Sequence, residues 1–486
     1  MPKPPSLLIH LDRSQDTSLQ TQLTLSLKRL VQTGILSSGK LVPSSRELAR
    51  DLGVSRNTVS HAYDRLIGEG YFEASPRRGL FVSQFLRERK LRNTRLPAKP
   101  NLSSPVAFRQ TVDLTAHPVP FSPCQPDVRL FPLPLWNRLR ARSLRSHGMS
   151  LLNYQSQLPL GLPHLRRVLA SYLSESRGVR CDWRQIAITT GSQQALYLLA
   201  QILLKPGCRV AVEDPGYLGA RAAWKRAGAA LQPVPVDSEG MRVPGGSRFT
   251  ADLVYVTPSR QFPTGACLSL PRRLSLVELA RKTRTWVVED DYDSEFRYSR
   301  PPLPSLQSLD SSGRVIYVGS MSKVLFPALR IGYVVLPATL VEDFSALRSA
   351  LDEHGPLIDQ AALAEFIDGG YFHSHIRRCR TVYAERLETL LRSASNSGLP
   401  LSFPHTDGGM NLAGLLPQGM SDEECSQRLQ QCGMEIPALS RYALRRSRPG
   451  LVFGFTAFEP NAIRESITSA AGTLQKMSAR GPGLRD

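Results

Sequence analysis

The run Val315-Ile316-Tyr317-Val318-Gly319-Ser320-Met321-Ser322-Lys323 decides how the larger part of this chain is read. Four β-branched and aromatic residues predict a strand, which runs straight into a turn of small residues ending on a lysine. The pattern recurs on both sides. Residues 186–189, 209–213, 253–256, 286–289 and 332–335 are short, near-continuous apolar runs separated by stretches of helical spacing. Strands apolar on both faces and alternating with helices predict an α/β domain around a mostly parallel, buried sheet.

Ligands of such sheets gather beyond the carboxyl ends of the strands, where the informative residues of this chain stand. Lys323, at a strand end among hydroxyls, has the parts of a Schiff-base site: its amine can attack an aldehyde. Ser320, Ser322 and Arg330 can hold a phosphate beside it. The strand at 186–189 ends in Gly191-Ser192-Gln193-Gln194 ahead of a helix over 195–204, and a helix N-terminus suits an anion. The strand at 286–289 ends in Asp290-Asp291-Tyr292-Asp293. Four acids within 289–293 invite a metal reading, but neighbours on a strand point to opposite faces, so no metal is expected. An aspartate facing a protonated ring nitrogen is the better use. Each feature alone is ordinary for a strand end. Together they specify an aldehyde, a phosphate and a basic heteroaromatic nitrogen, which is pyridoxal 5′-phosphate. No Gly-x-Gly-x-x-Gly or Walker loop appears, which disfavours nucleotide cofactors.

The N-terminal end follows another logic. Leu23, Leu27, Leu30 and Val31 form a helix stripe that stops near Gly34. In Pro43-Ser44-Ser45-Arg46-Glu47-Leu48-Ala49 the Ser44/Glu47 spacing of a capping box predicts a helix from Ser44 to about Leu52. Gly53 supplies a turn, and Ser55 caps a third helix with Val59, Ala62, Tyr63, Leu66 and Ile67 on one face. That is a helix-turn-helix, whose second helix begins Ser55-Arg56-Asn57-Thr58 at the end that meets base edges and phosphates. Two strands, at 70–73 and 79–82, flank Ser75-Pro76-Arg77-Arg78, a hairpin tip suited to a minor groove or to phosphates. The expected partner is double-stranded DNA.

The segment 1–83 resembles the winged-helix domain of GntR-type bacterial repressors, through Pro43–Ala49, Leu52-Gly53-Val54-Ser55-Arg56-Asn57-Thr58-Val59 and Ala62-Tyr63 to Glu69-Gly70. The resemblance places Arg46, Arg56, Thr58 and the wing's Gly79 near DNA. The family's Gly-x-Gly-Thr wing here reads Arg77-Arg78-Gly79-Leu80. Residues from roughly 115 to 475 resemble a fold-type I, class I/II aminotransferase domain, a large domain with a smaller one attached. The landmarks are Tyr154 through Gly161, Leu165-Arg166, Gly191-Ser192-Gln193-Gln194, Glu213-Asp214-Pro215-Gly216-Tyr217, Pro263-Thr264-Gly265, Glu289-Asp290-Asp291-Tyr292, Ser320-Met321-Ser322-Lys323 and Arg330-Ile331-Gly332-Tyr333. By that likeness Lys323 forms the Schiff base, Asp290 pairs with the pyridine nitrogen, Tyr217 stacks on the ring and Tyr292 bonds its phenolic oxygen. Ser192, Ser320, Ser322 and Arg330, with Gly191 and Gln193 beside them, form the phosphate cradle. Tyr154 reaches in from a partner subunit. The fusion as a whole resembles the MocR/GabR group of transcriptional regulators, which implies a homodimer and an operator with paired half-sites.

Three positions depart from the patterns of these families. Phe262 stands where aminotransferases place an asparagine, and Arg260 where the regulators tend to have histidine. Val452 falls near the arginine that enzymes use for a substrate's α-carboxylate. Arg221, Arg441 and Arg445 are the candidates for an effector's acid group, each weighed against being ordinary surface arginine.

Composition agrees with this division. The 486 residues carry 61 Lys+Arg against 41 Asp+Glu, a net +20. Residues 1–110 hold 18 Lys+Arg and 8 Asp+Glu, half of the excess in under a quarter of the chain. Charge alone fits a solvated basic face as well as a phosphate backbone. Residues 84–112, basic and rich in proline and serine, read as a linker ahead of an effector domain over 113–486. No apolar stretch is long enough to span a membrane and the N-terminus lacks a signal-peptide core, so a cytoplasmic, nucleoid-associated protein is expected. Seven cysteines without a C-x-x-C pair read as scattered thiols. The leading expectation is a pyridoxal-phosphate-dependent regulator that senses an amine or amino acid, or the vitamer itself. The alternative is a working aminotransferase with a DNA-binding module; Phe262 and Val452 count against efficient turnover.

Overall fold

The structure is a computed structural model that describes residues 9–14, 17–76, 78–83, 119–243, 249–299, 303–445 and 447–479. The chain divides into two compact units, Met1–Asp113 and Leu114–Asp486. The segment 84–112 and Arg77 lie outside the described residues.

The first unit packs α1 (Leu19–Gln32), α2 (Ser45–Leu52) and α3 (Arg56–Gly68) against a hairpin of β1 (Phe72–Ser75) and β2 (Gly79–Val82). Ser44 caps α2 by accepting from the Glu47 amide at 3.2 Å, so the first helical residue is Ser45, one later than the spacing predicts. Gly53 ends α2 in the left-handed region at φ +62°, and Ser55 caps α3 by accepting from the Thr58 amide at 3.1 Å. Leu23, Leu27, Leu30, Val59, Ala62, Tyr63 and Leu66 are buried together with Phe72 and Val82. Each fully buried leucine contributes about 2 kcal/mol. Ile67 departs from expectation. It is 37% exposed, because α3 turns its last face outward where the wing begins.

The second unit opens with α4 (Leu133–His147) and α5 (Pro163–Arg177) and then alternates strands with helices: β3 (Ile186–Thr189), α6 (Ser192–Leu203), β4 (Arg209–Asp214), α7 (Leu218–Arg226), β5 (Ala230–Asp237), β6 (Gly240–Met241), β7 (Leu253–Val256), α8 (Leu270–Thr283), β8 (Trp286–Asp291), α9 (Leu306–Leu309), β9 (Val315–Ser320) and β10 (Gly332–Val335). Next come α10 (Val341–Asp352), α11 (Leu357–Asp368) and the long α12 (Tyr371–Asn396). A smaller C-terminal part holds β11 (Asn411–Leu415), α13 (Asp422–Gln431), β12 (Gly450–Gly454) and α14 (Pro460–Ala479), with β11 and β12 paired antiparallel and α14 packed along α12.

The main sheet has the order β3-β10-β9-β8-β7-β4-β5-β6. Its parallel pairs are β9 with β8, β8 with β7, β7 with β4 and β4 with β5. The inserted β10 runs against both its neighbours, so the sheet is mixed, though six strands share one direction. That reversal positions the site. Gly332, the first residue of β10, pairs with Thr189 at the end of β3 and with Ser320 at the end of β9. The turns after β3 and β9 are thereby brought together, with Arg330 between them. A Cβ on Gly332 would come within 2.6 Å of the Gly191 carbonyl carbon, so the close approach requires glycine. The strand β5 escapes a reading by pattern because Pro233 and Pro235 remove two donors. Spaced by two, those missing N–H groups lie on one side, and β5 is tolerated beside the two-residue edge strand β6.

Candidate functional site

A cavity of about 320 Å³ opens at the carboxyl ends of the strands, and Lys323, Asp290, Tyr217, Tyr292, Ser192 and Ser320 all line it. Lys323 enters from the turn after β9, where its Nζ donates to the Cys124 carbonyl at 3.1 Å. Asp290 enters from β8. One of its oxygens accepts from the Tyr255 hydroxyl at 2.7 Å, while Oδ1 is buried without a partner. Burial pushes its pKa up to about 7, so this carboxyl is matched to a cationic group that the cavity can admit.

Strand alternation sends the neighbouring acids elsewhere. Glu289 accepts from the amides of Leu306 and Gln307 at the start of α9. Asp291 takes Arg177 at 2.8 Å and the Tyr317 hydroxyl at 2.6 Å. Asp293 lies 3.3 Å from Arg260 Nε. Among the described residues no three His, Cys, Asp or Glu side chains are placed to share a metal ion.

Opposite Asp290, the N-terminus of α6 meets the β9 turn. Gly191 at φ +77° leaves room for Arg330, whose guanidinium would stand 3.2 Å from a Cβ at that position. Arg330 Nη2 donates to the Thr190 carbonyl. Ser320 Oγ accepts from the Ser322 amide, and the Ser322 hydroxyl is buried without a partner. Gln193 donates to Gly219 O and accepts from the Tyr217 hydroxyl at 3.3 Å, which fixes the ring of Tyr217 over the cavity. An amine, an unpartnered carboxylate oxygen and a hydroxyl–guanidinium cradle at a helix N-terminus fit the aldehyde, ring nitrogen and phosphate of pyridoxal phosphate.

One wall is apolar. Phe262 lies 6.0 Å from Tyr217, 6.1 Å from Tyr292 and 5.2 Å from Tyr442, nearly perpendicular to each. Val452 and Leu439 are buried behind it. The loop carrying Phe262 hangs from Glu213, which accepts from Thr257 Oγ1 at 2.6 Å and is pushed up to about 7 by burial.

The three candidate arginines separate. Arg441 lines the cavity. Arg221 is buried against Asp214 and the Glu213 carbonyl, and Arg445 bonds Asp214 through its backbone; neither lines the cavity. Tyr154 is 88% exposed and borders a different groove, with Arg140, His354 and Leu357. Tyr255, Glu213, Cys124 and Asn411 escape a reading by motif. A lone tyrosine in the aliphatic strand β7 is the signal for Tyr255, since a buried hydroxyl needs a partner. Cys124 and Asn411 lie 287 residues apart and carry no local signal.

In the first unit Arg46 is exposed on α2, and at the start of α3 Ser55, Arg56 and Asn57 are exposed and Thr58 half-buried, with Arg56 Nε 3.4 Å from Ser45 Oγ. Arg78 and Gly79 are exposed at the wing. A Cβ on Gly79, at φ +106°, would meet Leu41 at 2.9 Å.

Comparison with known proteins matches both units. Residues 19–82 fit the bacterial regulatory proteins of the gntR family, and residues 137–431 fit the class I and II aminotransferases. The chain is 35% identical to the probable rhizopine catabolism regulatory protein MocR of Rhizobium meliloti, over 98% of this chain and 97% of that protein. It is 32% identical to the pyridoxine biosynthesis transcriptional regulator PdxR of Corynebacterium glutamicum, over 94% and 96%. The kynurenine aminotransferase of Pyrococcus horikoshii, solved in complex with PMP, superposes with a TM-score of 0.69 at 28% identity, covering 75% of this chain and 92% of that one.

Proposed function

This chain belongs to the MocR-type regulators, in which a GntR winged helix is joined to a class I/II aminotransferase domain, and from that premise we propose that it senses a primary amine through its cofactor cavity. It is a pyridoxal-phosphate-dependent, DNA-binding transcription regulator. The effector, the site roles, the dimer and a place in the cytoplasm beside the nucleoid are the proposed part.

Pyridoxal phosphate supplies an aldehyde that condenses with amines and a ring whose protonated nitrogen draws electrons from the carbon-nitrogen bond. Lys323 would present the amine that holds the aldehyde. Asp290, with one oxygen unpartnered, would keep a proton at the ring nitrogen. Tyr217 would cover the ring, and Tyr292 would bond its phenolic oxygen. Ser192, Ser320, Ser322 and Arg330, with Gly191 and Gln193, would hold the phosphate. The single observation that carries this reading is the cavity lined by both Lys323 and Asp290, a carboxylate with one oxygen buried without a partner. An incoming amine competes with Lys323, and Arg441 at the cavity is positioned for an acid group on the same ligand. The effector is an amine or amino acid; the vitamer itself, acting through occupancy alone, is the limiting case.

Phe262 and Val452 stand in a buried apolar cluster where the enzymes place an asparagine and a carboxylate-binding arginine, so Arg441 is the arginine left for an acid group; those two departures support sensing over efficient transamination. The exposed residues Met149, Leu152 and Tyr154, 69%, 58% and 88% exposed, support a homodimer in which Tyr154 completes the partner's cavity. On DNA, Arg46, Ser55, Arg56, Asn57, Thr58, Arg78 and Gly79 face an operator with paired half-sites; Arg77, expected beside them, lies outside the described residues.

The experiment is spectroscopic. Lys323→Ala abolishes the visible absorbance of the lysine-bound cofactor, and an unchanged spectrum sinks the assignment. Multiple turnovers with amino and keto acids at an ordinary enzymatic rate would overturn the sensing role in favour of catalysis.

A further inference from the structure

The cofactor lysine is tied to the first described segment of its unit. Lys323 Nζ donates to the Cys124 carbonyl at 3.1 Å. The same residue's N–H donates to Asn411 Oδ1 at 2.7 Å. Asn411, at the start of β11, is held in turn by Arg260, whose Nη2 donates to the Asn411 carbonyl at 3.0 Å and whose Nη1 donates to Thr406 Oγ1 at 2.8 Å. Cys124 is thus gripped at both its N–H and its carbonyl, one by the C-terminal part and one by the cofactor lysine. It adopts φ +58°, a left-handed conformation uncommon for a residue with a Cβ. Such a conformation persists where the surroundings over-determine it.

The residues just before Cys124 are strung along the same C-terminal part. The Gly454 amide donates to the Phe121 carbonyl at 2.9 Å, and the Glu435 amide donates to the Pro120 carbonyl at 2.8 Å. Ser122 Oγ donates to the Glu435 carboxylate. In sequence this segment follows directly on the stretch that joins the unit to the winged helix. Whatever changes the hold on Cys124 therefore acts on the segment that follows that stretch in sequence.

We propose that the Cys124 carbonyl is the resting acceptor of the Lys323 amine when an amine ligand displaces it, so that displacement tightens the 119–124 segment and reports the ligand toward the DNA-binding unit. This rests on Lys323 being the covalent anchor. In the exchange Lys323 gives up its bond to the aldehyde carbon as the ligand's nitrogen forms one. The two protons lost by the ligand's amine end on the lysine, and nothing is oxidised. The freed amine then has the donor that the Cys124 carbonyl accepts. Cys124 and Asn411 act as positioning residues, and the carbonyl is the working group, since burial pushes the Cys124 thiol pKa up. A switch requires a difference between the two states of the site, and here that difference is the lysine's bond to the Cys124 carbonyl, absent while the amine is held by the aldehyde.

Hydrogen–deuterium exchange on the cofactor-loaded full chain tests this, with methoxyamine as the probe because it takes the aldehyde from the lysine whatever the natural effector is. Addition of the probe is expected to slow exchange at the amides of Phe121, Ser122, Cys124, Gln125 and Asp127 by roughly three-fold or more, a difference well within the range of local opening equilibria. Lys323→Ala, which has no amine to release, shows no such slowing. Asn411→Ala abolishes it, and Asn411→Asp, which keeps an oxygen for the Cys124 N–H, restores it. Unchanged exchange in the wild type, or equal slowing in Lys323→Ala, overturns the proposal while the anchor stands. Visible absorbance that ignores methoxyamine or survives in Lys323→Ala instead overturns the anchor, and this inference with it.

Discussion

At the scale of single residues, the run Glu289–Asp293 shows how far alternation along a strand carries. Alternation separates Asp290 from Glu289 and Asp291 before any tertiary neighbour is known. It does not disclose that Arg177, 114 residues from Asp291, neutralises it. Asp290, Glu213 and Asp293 are each pushed up to about 7 by burial. Without cofactor, the folded domain therefore keeps protons that the unfolded chain has released above about pH 4. Where the native state binds more protons, stability falls as pH rises. The cofactor-free protein is expected to melt at a lower temperature at pH 8 than at pH 6. With pyridoxal phosphate the drop is smaller, because a protonated ring nitrogen favours the charged form of Asp290. Thermal melts at the two pH values, with and without cofactor, check both statements. Asp290→Asn is expected to weaken cofactor binding at least ten-fold, about 1.4 kcal/mol, as measured by absorbance titration.

At the scale of elements, caps and glycines were the most legible signals. Ser44, Gly53 and Ser55 delimit α2 and α3 because their local hydrogen bonds and backbone conformation need no distant partner. Ser55→Ala removes the bond to the Thr58 amide and is expected to destabilise the first unit by about 1 kcal/mol, read as a shift in its denaturant midpoint. The double variant Arg46→Ala/Arg56→Ala leaves the fold intact, since both side chains are exposed. It lowers DNA affinity and reduces the slope of log K against log salt by about 2, one for each phosphate no longer neutralised. Equal binding by the double variant, or a salt-insensitive complex, contradicts the DNA-facing role of α3. Two elements resisted local reading. The proline-bearing β5 is a strand only because β4 pairs with it, and Ile67 keeps the period of α3 yet stays 37% exposed at a groove it shares with Leu41 and Leu80.

At the scale of the whole molecule, the proposed dimer makes each cavity depend on two chains. Tyr154→Ala is expected to weaken cofactor binding in a homodimer, as is Lys323→Ala. Mixed dimers of the two variants contain one intact cavity and recover about half of the visible absorbance; recovery of none would show that Tyr154 serves its own chain's cavity, and undiminished cofactor binding by the Tyr154→Ala homodimer would show that it serves no cavity. The class of each unit was determined by sequence alone: a helical period with caps at one end, buried strands with a lysine, an aspartate and a glycine turn at their carboxyl ends at the other. Those features are local, set by backbone conformation and side-chain period, so they survive without coordinates. Only the tertiary structure decided which of the three arginines reaches the cavity, that β10 reverses to bring the β3 and β9 turns together, and that Lys323 meets Cys124. Each depends on residues far apart in the chain, whose meeting is fixed by packing and by the need of buried polar groups for partners.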